Sequence, residues 1–334
     1  MTLRRLFAFG IAALSLVSCT HKELCLSHPH TKTISVAFDW IDAPDASPRG
    51  MCVYFYPLSG GSGERFDFRG LNGGEVQIRV GKYRVLSFNN DTEAVQFFGM
   101  DDFDRHSAFT RDGHVLEPIY GSALNWKPKS DGNEERVVIC PDMMWGCTSE
   151  YVEINEDGLV STSRPQTRRD VVEPVDDGRT ITLYPHELTC TYTYEVRNVT
   201  NLKHLSQICG NISGMSGTLS LASEALSDEP VTLPFGADKS GTSSVTGKFY
   251  TFGQNPALSQ PHKMEFYVVM DDGQKYVYKD TPALDVTQQV HSAPDPRHVH
   301  LIIDGLPLPT PIENGNGFRP SVDDWEDVKQ DIIF

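Results

Sequence analysis

Cys19 is the residue of this chain whose chemistry its neighbours specify best. It follows Leu16-Val17-Ser18, and ahead of these stand Arg4, Arg5 and a mostly apolar run from Leu6 to Val17. A thiol placed behind a small residue at the end of such a run accepts a diacylglyceryl group, so residues 1–18 read as a cleaved lipoprotein signal peptide. The run is too short to span a bilayer: about a dozen helical residues reach only about 18 Å against roughly 30 Å of hydrocarbon. Lipidated Cys19 is thus the expected membrane attachment. Each buried methylene contributes about 0.8 kcal/mol, and one chain holds marginally while two hold stably.

Other chemistry-bearing residues lack the spacing that catalysis needs. A serine nucleophile is usually raised on a Gly-x-Ser-x-Gly turn between strand and helix. Gly210-Asn-Ile-Ser213-Gly and Gly214-Met-Ser216-Gly217 have different spacings, and in a strand-rich context their glycines read as turn or bulge residues. No phosphate loop and no His-Glu-x-x-His pair occurs. Asp101-Asp102-Phe103-Asp104 lacks the glycine and distal glutamate of a calcium loop. On a strand, His298 and His300 would share a face about 7 Å apart, close enough for zinc if a third ligand such as His291 folded nearby. An alternating polar face on an outer strand gives the same pattern, and no metal is expected. His28-Pro29-His30 reads as solvated linker. Asn198-Val-Thr and Asn211-Ile-Ser match glycosylation acceptors, but the lipoprotein signal implies a bacterial cell, so both are taken as loop residues. Trp40, Trp126, Trp145 and Trp325 could form a sugar platform if two stood exposed together, with core packing as the simpler use. The expectation is no enzyme and no cofactor.

Charge and cysteine content narrow the setting. The formal charge of −16 becomes −18 once Arg4 and Arg5 leave with the signal, a surface that repels nucleic acid and anionic headgroups. The body is expected to stand in solution at the end of a tether. Beyond Cys19 remain Cys25, Cys52, Cys140, Cys147, Cys190 and Cys209, and six cysteines allow fifteen pairings. No Cys-x-x-Cys occurs, and Cys140 to Cys147 is too wide for a compact zinc knuckle; disulfides and buried thiols both remain open.

The elements that must position these residues are strands. The 334 residues suit two domains. From Thr33 onward apolar residues alternate with polar ones between turn residues, predicting strands at 33–40, 51–56, 66–68, 75–80 and 83–88 joined as a meander. The stretch 97–141 is irregular and predicts long excursions before a strand at 151–154. Three arginines, two prolines and no periodicity mark 161–177 as a linker. Strands are again expected at 180–183, 190–196, 217–221, 231–235, 247–252, 264–270, 275–279 and 297–303, with Asp271-Asp272-Gly273 as a hairpin turn. Leu202, Leu205 and Cys209 predict one helix over 200–209.

Several of these phrases together carry a resemblance. The lipobox, Tyr194-Glu-Val-Arg-Asn-Val-Thr-Asn-Leu, Gly210-Asn-Ile-Ser-Gly-Met-Ser-Gly and Gly317-Phe-Arg-Pro-Ser-Val-Asp-Asp-Trp-Glu-Asp-Val resemble fimbrillin-related lipoproteins of Bacteroidales, in an uncharacterised domain family beside fimbrial anchor and minor-subunit proteins. The resemblance implies two tandem transthyretin-like β-sandwich domains, outer-membrane attachment by lipid, and assembly with other fimbrial subunits by strand donation. It also implies, for stalk subunits, a protease cut after an early arginine. Arg49 or Arg168-Arg169 match that loosely, which favours an uncut anchor.

The expected organisation is therefore all-β: signal peptide 1–18, lipidated tether 19–32, first sandwich 33–160, linker 161–177, second sandwich 178–306, and spacer with terminal strand 307–334. Along the tail Val328, Ile332 and Phe334 share one apolar face, as a donated strand requires; the same segment could instead close its own domain. The function expected is a surface anchor or accessory subunit of a fimbria-like structure. A glycan-capturing surface lipoprotein is the alternative, and a lipoprotein hydrolase the weaker one.

Overall fold

A computed structural model describes residues 30–122, 135–162 and 178–310 and the backbone of Glu326–Val328. Almost all of its regular structure is strand.

The first half contains β1 (Thr31–Phe38), β2 (Gly50–Pro57), β3 (Glu64–Arg69), β4 (Gly74–Arg79) and β5 (Gly81–Asn89). They begin and end within a few residues of the alternating runs that predicted them, because period-two burial is what places Ile34, Val36 and Phe38 of β1 on one face. Their order differs from a meander. β3 pairs with β2, but β4 crosses to pair with β1, and β5 returns to β2. The crossing gives the apolar face of each sheet a cover: Val76 and Ile78 of β4 meet Met51, Val53 and Phe55 of β2 in one core.

An excursion follows: β6 (Val95–Phe98), β7 (Ser107–Thr110), a short helix α1 (Glu117–Tyr120) and β8 (Arg136–Val137). The chain then adds β9 (Trp145–Ile154), β10 (Val160–Thr162), β11 (Thr180–Leu183) and β12 (His186–Glu187). The resulting sandwich has one sheet ordered β11-β1-β4 and another ordered β10-β9-β5-β2-β3, with β12 also on β9. Residues 180–183 were expected to open the second sandwich. They instead lie parallel to β1, Ser35 opposite Thr180 through Phe38 opposite Leu183, where Ile181 and Leu183 join the first core. Of the expected linker, 163–177 lies outside the described residues.

The second half comprises β13 (Cys190–Thr200), β14 (Leu205–Ser216), β15 (Thr218–Ser220), β16 (Pro230–Gly236), β17 (Asp238–Ser240), β18 (Ser244–Thr251), β19 (Met264–Met270) and β20 (Lys275–Tyr278). Helix α2 (Thr287–His291), β21 (His298–Pro307) and β22 (Glu326–Val328) complete it. A sheet ordered β17-β18-β13-β21 packs on one ordered β22-β20-β19-β14-β16-β8 around Tyr192, Tyr194, Phe235, Phe249 and Phe266. The Asp271-Asp272-Gly273 hairpin forms as expected, with Gly273 at φ 83° and the Met270 N–H on the Gln274 carbonyl at 2.9 Å.

The helix expected over 200–209 does not form. Leu202–His204 makes a single 3-10 turn and Leu205–Ser216 is a strand flanked on both sides. A register shift after Leu205 inserts an extra residue, which leaves Leu205 and Ile208 buried three apart with exposed Ser206 and Gln207 between them. A bulge in a strand thus produced a helix-like spacing.

The excursion binds the halves together. β7 pairs with β15 of the second half, and β8 adds parallel to the edge of β16, burying Val138 in the second core. Tyr54, Tyr56 and Phe88 on the outer face of the first sandwich pack with Leu219, Leu221 and Phe252. Val115 and Leu116 cover Cys209, Tyr267 and Val277 on the outer face of β14, β19 and β20. Core therefore lies on both faces of β2, whose residues 50–56 are all buried.

Candidate assembly edges and the junction between the halves

The chain enters the first sheet at His30, whose carbonyl accepts the Val80 N–H at 2.9 Å. β1 is hydrogen-bonded on both sides, a central strand of its sheet rather than an edge. Cys19 and residues 20–29 lie outside the described residues. Arg49, just ahead of β2, keeps its side chain 80% exposed, while its N–H donates to Asp91 Oδ2 at 2.8 Å and its carbonyl accepts the Gly70 N–H. Burial works to raise the Asp91 carboxyl, but the N–H of Arg49 and the Asn89 amide outweigh it and hold it below the usual range. Arg168 and Arg169 lie outside the described residues.

At the other end, the backbone of β22 runs parallel to β20, with Glu326, Asp327 and Val328 opposite Tyr276, Val277 and Tyr278. Without it β20 would be the sheet edge. Ile332 and Phe334, the other two residues of the expected apolar face, are outside the described residues.

His298 and His300 alternate on the exposed side of β21, as the sequence indicated. His298 reaches Asp295 through Nδ1 at 2.9 Å and Glu187 through Nε2 at 3.2 Å, and His300 Nδ1 meets Thr193 Oγ1 at 2.9 Å. His291 turns elsewhere, to His262. Among the described residues no group of three or more His, Cys, Asp or Glu side chains is arranged to hold a metal.

His298 belongs to a charged junction that nothing in the sequence announced. Glu224 takes His186 Nε2 at 2.7 Å and Arg297 Nη2 at 3.0 Å, and Arg297 also donates to the Glu187 carbonyl. The hydrogen bond from His186, opposed by burial and aided by Arg297, holds the Glu224 carboxyl below its usual range. β12 belongs to the first sandwich and β21 to the second, so these pairs lock the halves where they meet. Their positions in the chain are widely separated, and only the fold brings them together.

The candidate nucleophiles have structural partners. Ser213 donates to the Lys263 carbonyl at 3.4 Å, and Ser216 bonds Ser227 Oγ at 2.9 Å. Gly214 takes φ +78° at the second register shift of β14, the bulge role expected of it. Cys52, Cys140, Cys147, Cys190 and Cys209 are free thiols; burial pushes four of them up to about 12 and Cys190 to about 11, so they stay protonated at neutral pH. Asp104 pairs with Arg84 at 2.7 Å and Asp102 caps the Asp104 N–H, so this acidic run shapes its own loop. Trp40 donates to the Leu71 carbonyl at 2.9 Å and is half-buried, as is Trp145; Trp126 and Trp325 fall outside the described residues. None of the described helices is long and apolar enough to cross a membrane.

Known proteins resemble this chain in sequence and fold. The chain is 22% identical over 253 residues to a Bacteroides ovatus protein named as a fimbrium anchoring subunit, Fim4B, covering 75% of this chain and 65% of that one. The aligned part thus spans less than two thirds of the relative's length. In structure it resembles a crystallised Bacteroides ovatus protein described as an adhesin, with TM-score 0.53 and 18% identity over 84% of this chain and 95% of the other, a likeness of fold. The fimbrial anchor protein Mfa2 from Porphyromonas gingivalis aligns at TM-score 0.44 and 15% identity, over 82% of this chain and 91% of that one. A family model described as a domain of unknown function, DUF5119, matches residues 18–236, which run through the first sandwich, the excursion and the start of the second, and the chain belongs to that family.

Proposed function

We propose that this protein is a non-enzymatic surface lipoprotein, an anchor or accessory subunit of a fimbria-like filament, held to the outer membrane through lipid on Cys19. Its partners are other fimbrial subunits, joined by β-strand complementation through the tail that carries Val328, Ile332 and Phe334. The observation that supports complementation is the pairing of β22 with β20: in the isolated chain a tail segment lies on its own sheet, at an edge with no other neighbour among the described residues, and in the filament the same segment would lie on a partner's edge. Strand addition draws its affinity from backbone hydrogen bonds and its specificity from alternate side chains. The relative named as a fimbrium anchoring subunit supports the same assignment and a place in the cell envelope. The identification of the two sandwiches as transthyretin-like domains belongs to this proposal.

Deleting residues 326–334 tests it. A three-residue parallel ladder contributes little to the monomer, since each hydrogen bond adds about 0.5–1.5 kcal/mol net. The truncated protein should keep its unfolding midpoint within a few degrees yet no longer co-purify with filaments, and Cys19→Ser should move the protein out of the membrane fraction. Undiminished co-purification of the truncated protein would sink the tail as the joining element.

A further inference from the structure

Helix α2 lies along the free side of β21. The Thr191 N–H bonds the Arg297 carbonyl at 2.7 Å, so by alternation the odd-numbered residues of β21 face β13. The even-numbered His298, His300, Ile302 and Asp304 then turn their backbone groups to the open edge. Gln289 of α2 occupies the central rung. Its Oε1 accepts the Ile302 N–H at 2.8 Å and its Nε2 donates to the Ile302 carbonyl at 2.9 Å, as the peptide group of a neighbouring strand would. A side-chain amide is thus standing in for a strand, a way of blunting an edge that would otherwise pair.

Five residues of helix are far too short to persist alone, so α2 depends on its ties. Val286 and Val290 are buried in the second core. On the other side the ties converge on His262, which is fully buried. Its N–H donates to Thr287 Oγ1 at 2.8 Å, its carbonyl accepts the Val286 N–H at 2.9 Å, and its ring Nε2 lies 3.1 Å from His291 Nε2. The other ring nitrogen, Nδ1, lies 3.2 Å from the Ser213 carbonyl, which can only accept. Nδ1 therefore carries the proton, Nε2 presents a lone pair, and His291 donates to it.

We infer that α2 is an acid-released latch over the β21 edge, with the His262–His291 contact as its catch and Gln289 as the group that covers the edge. Once His262 takes a second proton its Nε2 becomes a donor, and with His291 also charged, N–H faces N–H at 3.1 Å. Burial disfavours the charged form of His262 most, with the Ser213 carbonyl opposing and the His291 charge adding to it, so the catch holds at neutral pH and gives way on acidification, at a lower pH than an ordinary histidine would. Three other charged groups sit on the neighbouring segments. Asp285, ahead of α2, favours its protonation. Lys263 follows in the chain and faces Asp285 across an isolated bridge. Glu135 takes the Gly214 N–H at 2.9 Å, beside Nδ1. The latch is independent of the fimbrial assignment, because it resides in the isolated chain.

Amide exchange on the full chain tests it. With rates corrected for intrinsic pH dependence, protection at Ile302 and through α2 should fall about tenfold or more between about pH 7.5 and about pH 5. Near-UV dichroism should stay unchanged. His291→Gln, at an exposed position, supplies an amide that either donates or accepts, and should keep the latch closed at both pH values; Gln289→Ala should leave Ile302 exchanging fast at both. Equal protection of the native chain at the two pH values would overturn the latch. The same loss in His291→Gln as in the native chain, or loss of near-UV dichroism over that range, would overturn it too.

Discussion

The His106 imidazole sits among Tyr54, Tyr56, Phe88 and Phe97, with ring centroids 4.9 to 6.4 Å away. The Tyr56 hydroxyl meets its Nδ1 at 2.8 Å, while the buried Nε2 has no hydrogen-bond partner among the described residues. Burial, reinforced by the Arg65 charge, lowers its pKa to about 4. The folded value lies below the unfolded one of about 6.5, so the unfolded chain binds the extra proton first as pH falls. Stability is therefore full above about pH 6.5 and is lost progressively toward pH 4, by up to roughly 3 kcal/mol if the pocket does not relax. Urea midpoints at neutral and acid pH should show this slope in the native chain and a shallower one in His106→Phe. Identical slopes would remove His106 from the account. No sequence pattern flagged this histidine, because the rings around it come from β2, β5 and the excursion.

At the scale of elements, β14 shows how a strand can hide. Its two register shifts break the period-two alternation, so Leu205 and Ile208 lie at a helix-like spacing. The second shift depends on Gly214, where an added Cβ would stand 2.5 Å from the Pro261 carbonyl oxygen and 2.8 Å from His262 Nδ1 at φ +78°. Gly214→Ala should cost roughly 1–3 kcal/mol for the backbone conformation alone, with the clash added, and lower the thermal midpoint accordingly. A midpoint within a degree of the native chain would mean that the bulge relaxes freely. The regular strands were legible because one face of each is buried: Met264, Phe266, Val268 and Met270 of β19 all enter the second core.

At the scale of the molecule, the halves are joined by more than a covalent connection. β7 on β15, β8 on β16, the shared cluster around Tyr54 and Leu221, and the His186–Glu224 pair all cross between them. Cutting the chain after Arg164, Arg168 or Arg169 should therefore leave both fragments co-eluting in gel filtration and unfolding in one transition. Separation of the fragments under native conditions would show that these contacts do not suffice to hold the halves. On the proposed role, such locking would share force entering at β1 across both cores.

The sequence by itself determined the strand content, most strand positions, the Asp271-Asp272-Gly273 hairpin and the bulge at Gly214. All of these rest on local rules: alternation imposed by one buried face, and turns that need glycine. Tertiary structure alone decided that β4 crosses to β1, that 180–183 completes the first sandwich, that 200–209 is a turn and a bulged strand, and that His291 serves His262 rather than His298 and His300. Pairing between strands depends on which apolar faces must cover each other, a non-local condition that residue spacing along one strand does not encode.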